Sequence, residues 1–565
     1  MLRKFELPLL LLLLFLAAAL RFASLSTVPG GFHGDEAVAG LEAQRILREG
    51  SIGVYSPPAL GQPAGPLYLT ALSVKVFGPT IFAVRAPAAL WGTLTVALLL
   101  FVLRRFYGRR VAFLGAALLS TLNWGIHFSR LGFPINAWPF VCLLAAWALV
   151  EAARRERGRG WALAGVAAGA GIYVYNAHIL FLLALGAWSA IHLARRRDVA
   201  AKTRLGWLGC FVGALLLVAI PMARYVLNPA NDYFSHARLV SVFSAPGNTF
   251  PHDASVGEKA RFLGGRYLDF WSNLSWHPEM DWVDATGIVP PVPLGVLALA
   301  ALGFAAIARK SRRGAVSSAI AANDSAGENE VRTRMLGIYL VGIALWCCLL
   351  LPLGPTITMQ GVTRRAFALA PFLCLGAALG LNALALGLES AARARGGQIL
   401  ARAVPVALAL AVMGQSLFDY FGRVAVAPAR AWTFVQDFTD MVGFLNTLPP
   451  QTRVLYLCDR WSINYEPRQF LAPHALVEDR SKEFGRYSLA LPAQNGPVVF
   501  VLQGAYKARL DELQRLYPGS RIIVGPPSAD TGEPAFLALW PATSPPRDPF
   551  LAPGSPLLRQ NAPNG

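Results

Sequence analysis

Near the start of the chain, His33-Gly34-Asp35-Glu36 brings an imidazole and two adjacent carboxylates to the head of a helical pattern continued by Ala37, Leu41, Ile46 and Leu47. A carboxylate so placed can accept a proton from an attacking nucleophile. It can also do no more than favour the positive end of a helix dipole. Four arginines, Arg85, Arg130 and the adjacent Arg364-Arg365, fall near the ends of apolar runs, where each either serves a site or snorkels to lipid headgroups. Tyr173, Tyr175, Asn176 and His178 form a further polar cluster, suited to lining a pocket or to an ordinary interface. The cysteines have no metal-ligand spacing: Cys142, Cys210, Cys347, Cys348 and Cys374 lie in apolar runs and only Cys458 lies elsewhere.

The elements that must position these residues are membrane spans. Of the 565 residues 55% are hydrophobic and only 15% are charged, against roughly 25% charged in an average soluble domain. No soluble core hides so many long runs of Leu, Ala, Val and Phe. Runs long enough to span fall at 7–25, 80–103, 111–128, 134–152, 161–177, 178–194, 205–226, 288–308, 335–353, 365–388 and 402–419, giving about eleven transmembrane helices. The first of these resembles a signal peptide, with Arg3 and Lys4 before it, and is read as a retained anchor.

The net charge of +19 points to nucleic acid only if it forms a patch, and it does not: it is divided among short clusters between apolar runs. With the N-terminus in the cytoplasm, the clusters Arg104 to Arg110, Arg154 to Arg159, Arg195 to Arg204, Arg309 to Arg334 and Arg393 to Arg402 all fall on the cytoplasmic side. This parity excludes 63–78, which is short, begins with prolines and contains Lys75, as a span; it reads as a re-entrant or interfacial helix. Two outer loops are then long, 26–79 and the Trp- and Tyr-rich 227–287, while 311–330 reads as a flexible cytoplasmic linker.

Beyond 420 the texture changes. Residues 453–459, 497–503, 521–525 and 535–540 read as buried strands and 506–517 as a helix. The division is a membrane domain over 1–419, a small α/β domain outside the cytoplasm over 420–545, and a disordered tail over 546–565. An odd number of crossings makes the chain a multi-pass protein of the cell (inner) membrane with its tail outside.

The ordered set Asp35-Glu36 after the first span, Gly65-Pro66-Leu67-Tyr68, Phe77-Gly78 and Arg85-Ala86-Pro87 resembles the bacterial relatives of protein O-mannosyltransferases and the aminoarabinose transferases of lipid A, which are GT-C fold glycosyltransferases. The motif order covers roughly residues 1–200. The resemblance implies a polyprenyl-phosphate-sugar donor and makes Asp35 the catalytic base, with Glu36 beside it. His33, Arg85, Arg130, Tyr175, Asn176, His178, Arg364 and Arg365 are then the candidates for substrate binding, the arginines as a clamp for the departing phosphate. The acceptor is a lipid, glycan or protein hydroxyl outside the cytoplasm, and whether a divalent metal ion takes part is left open. One position departs from the aminoarabinose pattern: Gln62 stands where those relatives commonly carry Lys, which weakens that sugar assignment. Two rivals are a flippase for lipid-linked saccharides, which needs broken helices and mid-membrane charges, and a non-catalytic scaffold.

Overall fold

The computed structural model describes residues 6–59, 61–244, 254–317, 325–359, 362–393, 398–481 and 496–542. Among them, seven helices are long and apolar enough to cross a membrane. An eighth crossing results if Arg109–Thr121 and Asn123–Ser129, bent by 56°, count as one. The other three expected spans coincide with helices whose apolar part is shorter, Glu6–Phe22, Gly158–Ala170 and Leu294–Ser317. The protein is thus a polytopic helical membrane protein.

Packing separates the inner helices from those that face lipid. Within the most apolar stretches of Pro134–Arg155 and Thr363–Arg393, 78% of residues are buried; in Ala201–Leu227 only 17% are. The large apolar side chains it exposes, Leu205, Val212, Leu216, Leu217, Ile220 and Leu227, make a surface suited to lipid. Leu294–Ser317 and Thr363–Arg393 touch backbone to backbone: a Cβ on Gly303 would lie 2.0 Å from Gly376 O, and one on Gly380 2.0 Å from Leu299 O. Small residues give membrane helices this close approach.

The basic loops gather at one end of the bundle. Glu6 pairs with Arg104 and Arg109, Arg105 with Glu151, Arg110 with Glu389, and Arg196 with Glu156. Residues 311–317 and 325–330, expected to be linker, instead extend the helices on either side. Helix propensity permits this, since the stretch holds no proline and only two glycines. The middle of that stretch and the expected tail lie outside the described residues.

At the other end, the re-entrant stretch is a 13-residue helix, Gly65–Phe77, too short to span. It packs between Gly34–Glu49 and Ile81–Tyr107. Two short strands, β1 (Tyr55–Ser56) and β2 (Gln62–Pro63), pair antiparallel beside it. The segment after 435 contains a mixed sheet of β3 (Arg453–Leu457), β4 (Leu476–Asp479), β5 (Val498–Leu502), β6 (Arg521–Val524) and β7 (Leu537–Trp540), in the order β4-β3-β5-β7-β6. Strands β4, β3 and β5 are parallel; β7 is antiparallel to β5 and β6. Strand β4 was not foreseen, being a half-exposed edge strand without an apolar run. Helix Glu466–Leu471 packs on Gly34–Glu49, and Phe32 N–H donates to Phe434 O (2.9 Å), so the sheet segment lies at the Asp35 end.

The loop that follows the first helix is wound around two buried guanidinium groups. Arg130 donates to the carbonyls of Leu20, Ala23, Ser24 and Val28. Arg85 donates to those of Leu25, Pro29 and Gly31, and its Nε and Nη2 reach both Glu36 oxygens at 2.8 and 2.9 Å. Glu36 also accepts from Gly132 N (2.8 Å) and His33 N (3.2 Å), and it is fully buried. Arg85 and these backbone donors hold its carboxyl below the usual range, against the opposing pull of burial. These placements correct three expectations. Glu36, Arg85 and Arg130 do not line the cavity described below; every one is saturated by protein partners, and they position the loop.

Glu36→Gln should therefore lower the unfolding midpoint sharply, because Arg85 keeps a buried charge without its counter-ion, at a cost of about 3–5 kcal/mol. Asp35→Asn should leave the midpoint near wild type. Thermal unfolding of both purified variants in detergent checks this; equal midpoints would refute the division of labour.

Candidate active site

The helix Gly34–Glu49 begins on a capping box: His33 Nδ1 accepts from Asp35 N (3.1 Å) while Glu36 reaches back to His33 N. Consecutive residues on a helix point about 100° apart. With Glu36 fixed inward, Asp35 points into a cavity of about 1150 Å³. His33, Gln62, Tyr175, Asn176, His178, Arg364 and Arg365 also line it.

The segment Thr363–Leu369 presents the two arginines, and the Trp- and Tyr-rich loop 227–287 clasps it. Glu279 accepts from Thr363 N (2.9 Å), and Arg364 N donates to Asp284 O (3.0 Å). Arg364 Nη1 meets Asp284 Oδ1 at 2.7 Å and lies 4.0 Å from Asp35 Oδ2. Its guanidinium also sits 5.3 Å from the Phe133 ring centre, whose edge packs against His33. Asp281 shapes this loop by accepting from Val283 N and Asp284 N at 2.8 and 2.7 Å. The buried Nε of each arginine has no hydrogen-bond partner among the described residues; Arg365 differs in that, among them, no carboxylate pairs with it as Asp35 and Asp284 do with Arg364. One arginine is thus held between two carboxylates, and the other faces the cavity without such a pair.

Burial shapes the loop acids. The Glu279 carboxyl is pushed up to about 7 because burial penalises its charge. Burial raises the Asp284 carboxyl too, against the pull of Arg364. The His236 imidazole, on the same cavity, is lowered by burial and by the charges of Arg365 and Arg364.

The polar cluster before the sixth expected span divides. Asn176 donates to Gly61 O (2.7 Å) and Tyr175 packs on Trp138 at 4.8 Å between ring centres, so both form cavity wall. His178 touches the cavity, but both its ring nitrogens are engaged, with Trp138 Nε1 (3.1 Å) and Ala168 O (2.8 Å). It braces the wall. Reading the sequence missed Asp284, His236 and Tyr55. The pair Asp281 and Asp284 around Trp282 was the available signal. Among the described residues no three His, Cys, Asp or Glu side chains are grouped to hold a metal ion.

Residues 61–223 match the family model for dolichyl-phosphate-mannose-protein mannosyltransferase. An undecaprenyl phosphate-alpha-4-amino-4-deoxy-L-arabinose arabinosyl transferase of Pseudomonas aeruginosa is 30% identical over 190 residues, covering 32% of this chain and 34% of the relative. The counterpart in Pseudomonas paraeruginosa is 29% identical over the same length. The match thus spans about a third of these relatives. Among solved structures, ArnT from Cupriavidus metallidurans bound to undecaprenyl phosphate aligns at 14% identity and a TM-score of 0.44, over 95% of this chain and 99% of that one. The Archaeoglobus fulgidus oligosaccharyltransferase in its apo form aligns at 13% and 0.46, over 94% and 74%. In that matched N-terminal stretch the chain is similar to dolichyl-phosphate-mannose-protein mannosyltransferases and to the undecaprenyl phosphate-aminoarabinose transferases.

Proposed function

We propose that this protein is a membrane glycosyltransferase that moves a sugar from a polyprenyl-phosphate-linked donor to a hydroxyl-bearing lipid, glycan or protein outside the cytoplasm. The observation that carries the reading is the convergence of Asp35, Arg364 and Arg365, distant in sequence, on one cavity. In the reaction Asp35 takes the acceptor proton while the acceptor oxygen attacks the anomeric carbon, with inversion. The bond from that carbon to the phosphate oxygen breaks, and its electron pair leaves with the phosphate. Arg365 meets the charge that develops there, and its planar fork can give two hydrogen bonds to phosphate oxygens. Tyr175, Asn176 and His33 shape the space for the sugar and acceptor. Gln62 also faces the cavity, so the donor sugar is recognised without a lysine at that position.

The proposed orientation puts the basic end of the bundle in the cytoplasm and the cavity, with the sheet segment, outside. The ion-paired basic loops at one end and Asp35 at the other support it. The count of about eleven spans belongs to the same reading, as does the assignment of 420–545 as a separate extracytoplasmic domain.

Three measurements test these statements. With a defined polyprenyl-phosphate sugar, Asp35→Asn should lose transfer by roughly 10²–10⁴-fold while inserting normally; near-normal turnover would remove Asp35 as the base. Arg365→Ala should reduce kcat even at saturating donor, by roughly 10²–10³-fold. A change confined to apparent donor affinity would mean that Arg365 binds only the ground state. No change in either parameter for Arg364→Ala or Arg365→Ala would take both from the site. A phosphatase fused after residue 425 should be active and a fluorescent protein that folds only in the cytoplasm should stay dark there; the reverse pattern would mean an even number of crossings.

A further inference from the structure

Arg21, Arg85, Arg130 and Arg430 are each at most 1% exposed. Three are fully engaged. Arg21 donates to Ala17 O, Ser120 O, Leu119 O and Ser129 Oγ, and Arg85 and Arg130 are held as described above. Arg430 is the exception. Its Nε, Nη1 and Nη2 are all buried and find no hydrogen-bond partner among the described residues. Its guanidinium carbon sits 4.7 Å from the Phe434 ring centre, a contact that supplies no hydrogen-bond acceptor in the plane of the fork.

Two further buried groups lie beside it. The Tyr420 hydroxyl faces Arg430 and the His127 ring faces the backbone of Val283, but neither the hydroxyl nor the ring nitrogens make a well-formed hydrogen bond among the described residues. The two rings meet edge-on with centres 6.3 Å apart. The Arg430 charge acts on both side chains, so the three share one interior site. It lies where the bent helix Asn123–Ser129, the turn Phe418–Val424 and the helix Pro428–Thr433 meet.

Arginine cannot shed its proton, so the charge must be balanced from outside itself. The nearest carboxylates are already committed. Glu36 is spent on Arg85, and Asp419 pairs with Arg423 at 3.2 Å. Water would fill the N–H groups but leave the charge in a low-dielectric interior. A small anion does both. The surroundings offer guanidinium N–H, phenol O–H and imidazole N–H donors, a set that suits a spherical monovalent anion.

We propose that Arg430, His127 and Tyr420 form a binding site for a small monovalent inorganic anion of the halide class, at the seam between the membrane bundle and the C-terminal segment. Occupation of the site also steadies the catalytic end, because the Phe434 ring lies 5.6 Å from the His33 ring and its carbonyl holds Phe32 N.

The test uses the purified full chain in detergent. Thermal unfolding is followed in sodium chloride and sodium bromide against sodium gluconate at equal ionic strength. The unfolding midpoint should rise by several degrees in halide along a saturable curve, as site binding to the native state requires. In Arg430→Met the halide dependence should vanish. Because that variant risks misfolding, a second measurement stands on wild-type protein alone. Crystals grown in bromide should show an anomalous peak in contact with the Arg430 guanidinium and the His127 ring. A midpoint indifferent to halide, a halide effect undiminished in Arg430→Met, or no bromide peak at that position would each overturn the site; in the last case water alone would fill it.

Discussion

A buried guanidinium that cannot lose its charge must be surrounded, and the arrangement of the Asp35 end of this protein follows from that constraint. Arg85 and Arg130 stand on separate helices inside the bundle, and the nearest flexible source of acceptors is the chain leaving the first helix. Seven carbonyls between Leu20 and Gly31 turn toward these two side chains. Glu36 closes the shell with both oxygens on Arg85. The loop has little freedom left after this, and neither has the first turn of the helix that follows it. The direction of Asp35 is a by-product: its neighbour is pinned inward, so helical geometry turns Asp35 toward the cavity.

This explains why some of the site was legible in the sequence and some was not. Hydropathy exposes spans because the bilayer imposes one long-range rule on every apolar run. It also set 63–78 apart from the spans, through its shortness and its lysine, and that stretch holds the short helix Gly65–Phe77. Asp35 was legible because a local motif carries it. Glu36, Arg85 and Arg130 were read as site residues because a charged group near a membrane surface looks the same whether it meets a ligand or a carbonyl. Only the path of the loop distinguishes the two, and that path is set by contacts up to 110 residues apart. Asp284 failed in the opposite direction. Its role depends on Arg364, 80 positions away in the numbering, and no short pattern encodes such a pairing.

The cavity joins two kinds of surface. Its wall near Leu180, Ala219 and Val226 is apolar, and its polar groups are gathered at the Asp35 end. A lipid-linked donor has the same division, with a hydrocarbon tail that stays in the bilayer and a charged phosphate and sugar that do not. Charges at such a boundary act through a lower effective dielectric than on an open surface, so each ion pair there matters more. The site is therefore governed by its charge balance: Asp35, Asp281 and Asp284 share the cavity with Arg364 and Arg365, and Asp35 and Asp284 both face Arg364.

That balance bears on how the proposed reaction proceeds. A phosphodiester donor brings one negative charge, and Arg365 is the cation without a carboxylate of its own. When the sugar departs, the phosphate becomes a monoester and approaches a second charge. In the same step Asp35 gains the acceptor proton and loses its own charge. The site as a whole keeps its total, but negative charge moves from the carboxylate to the phosphate. Arg364 stands 4.0 Å from Asp35, closer than a distant charge and longer than a hydrogen bond, while Asp284 grips it at 2.7 Å. Neutralising Asp35 weakens one of the two attractions on Arg364 just as a stronger anion appears beside it. Asp284 then acts as an anchor that keeps Arg364 in place while its second partner changes from the base to the leaving group. A single arginine so held serves both the start and the end of the transfer without having to be released into solvent between them.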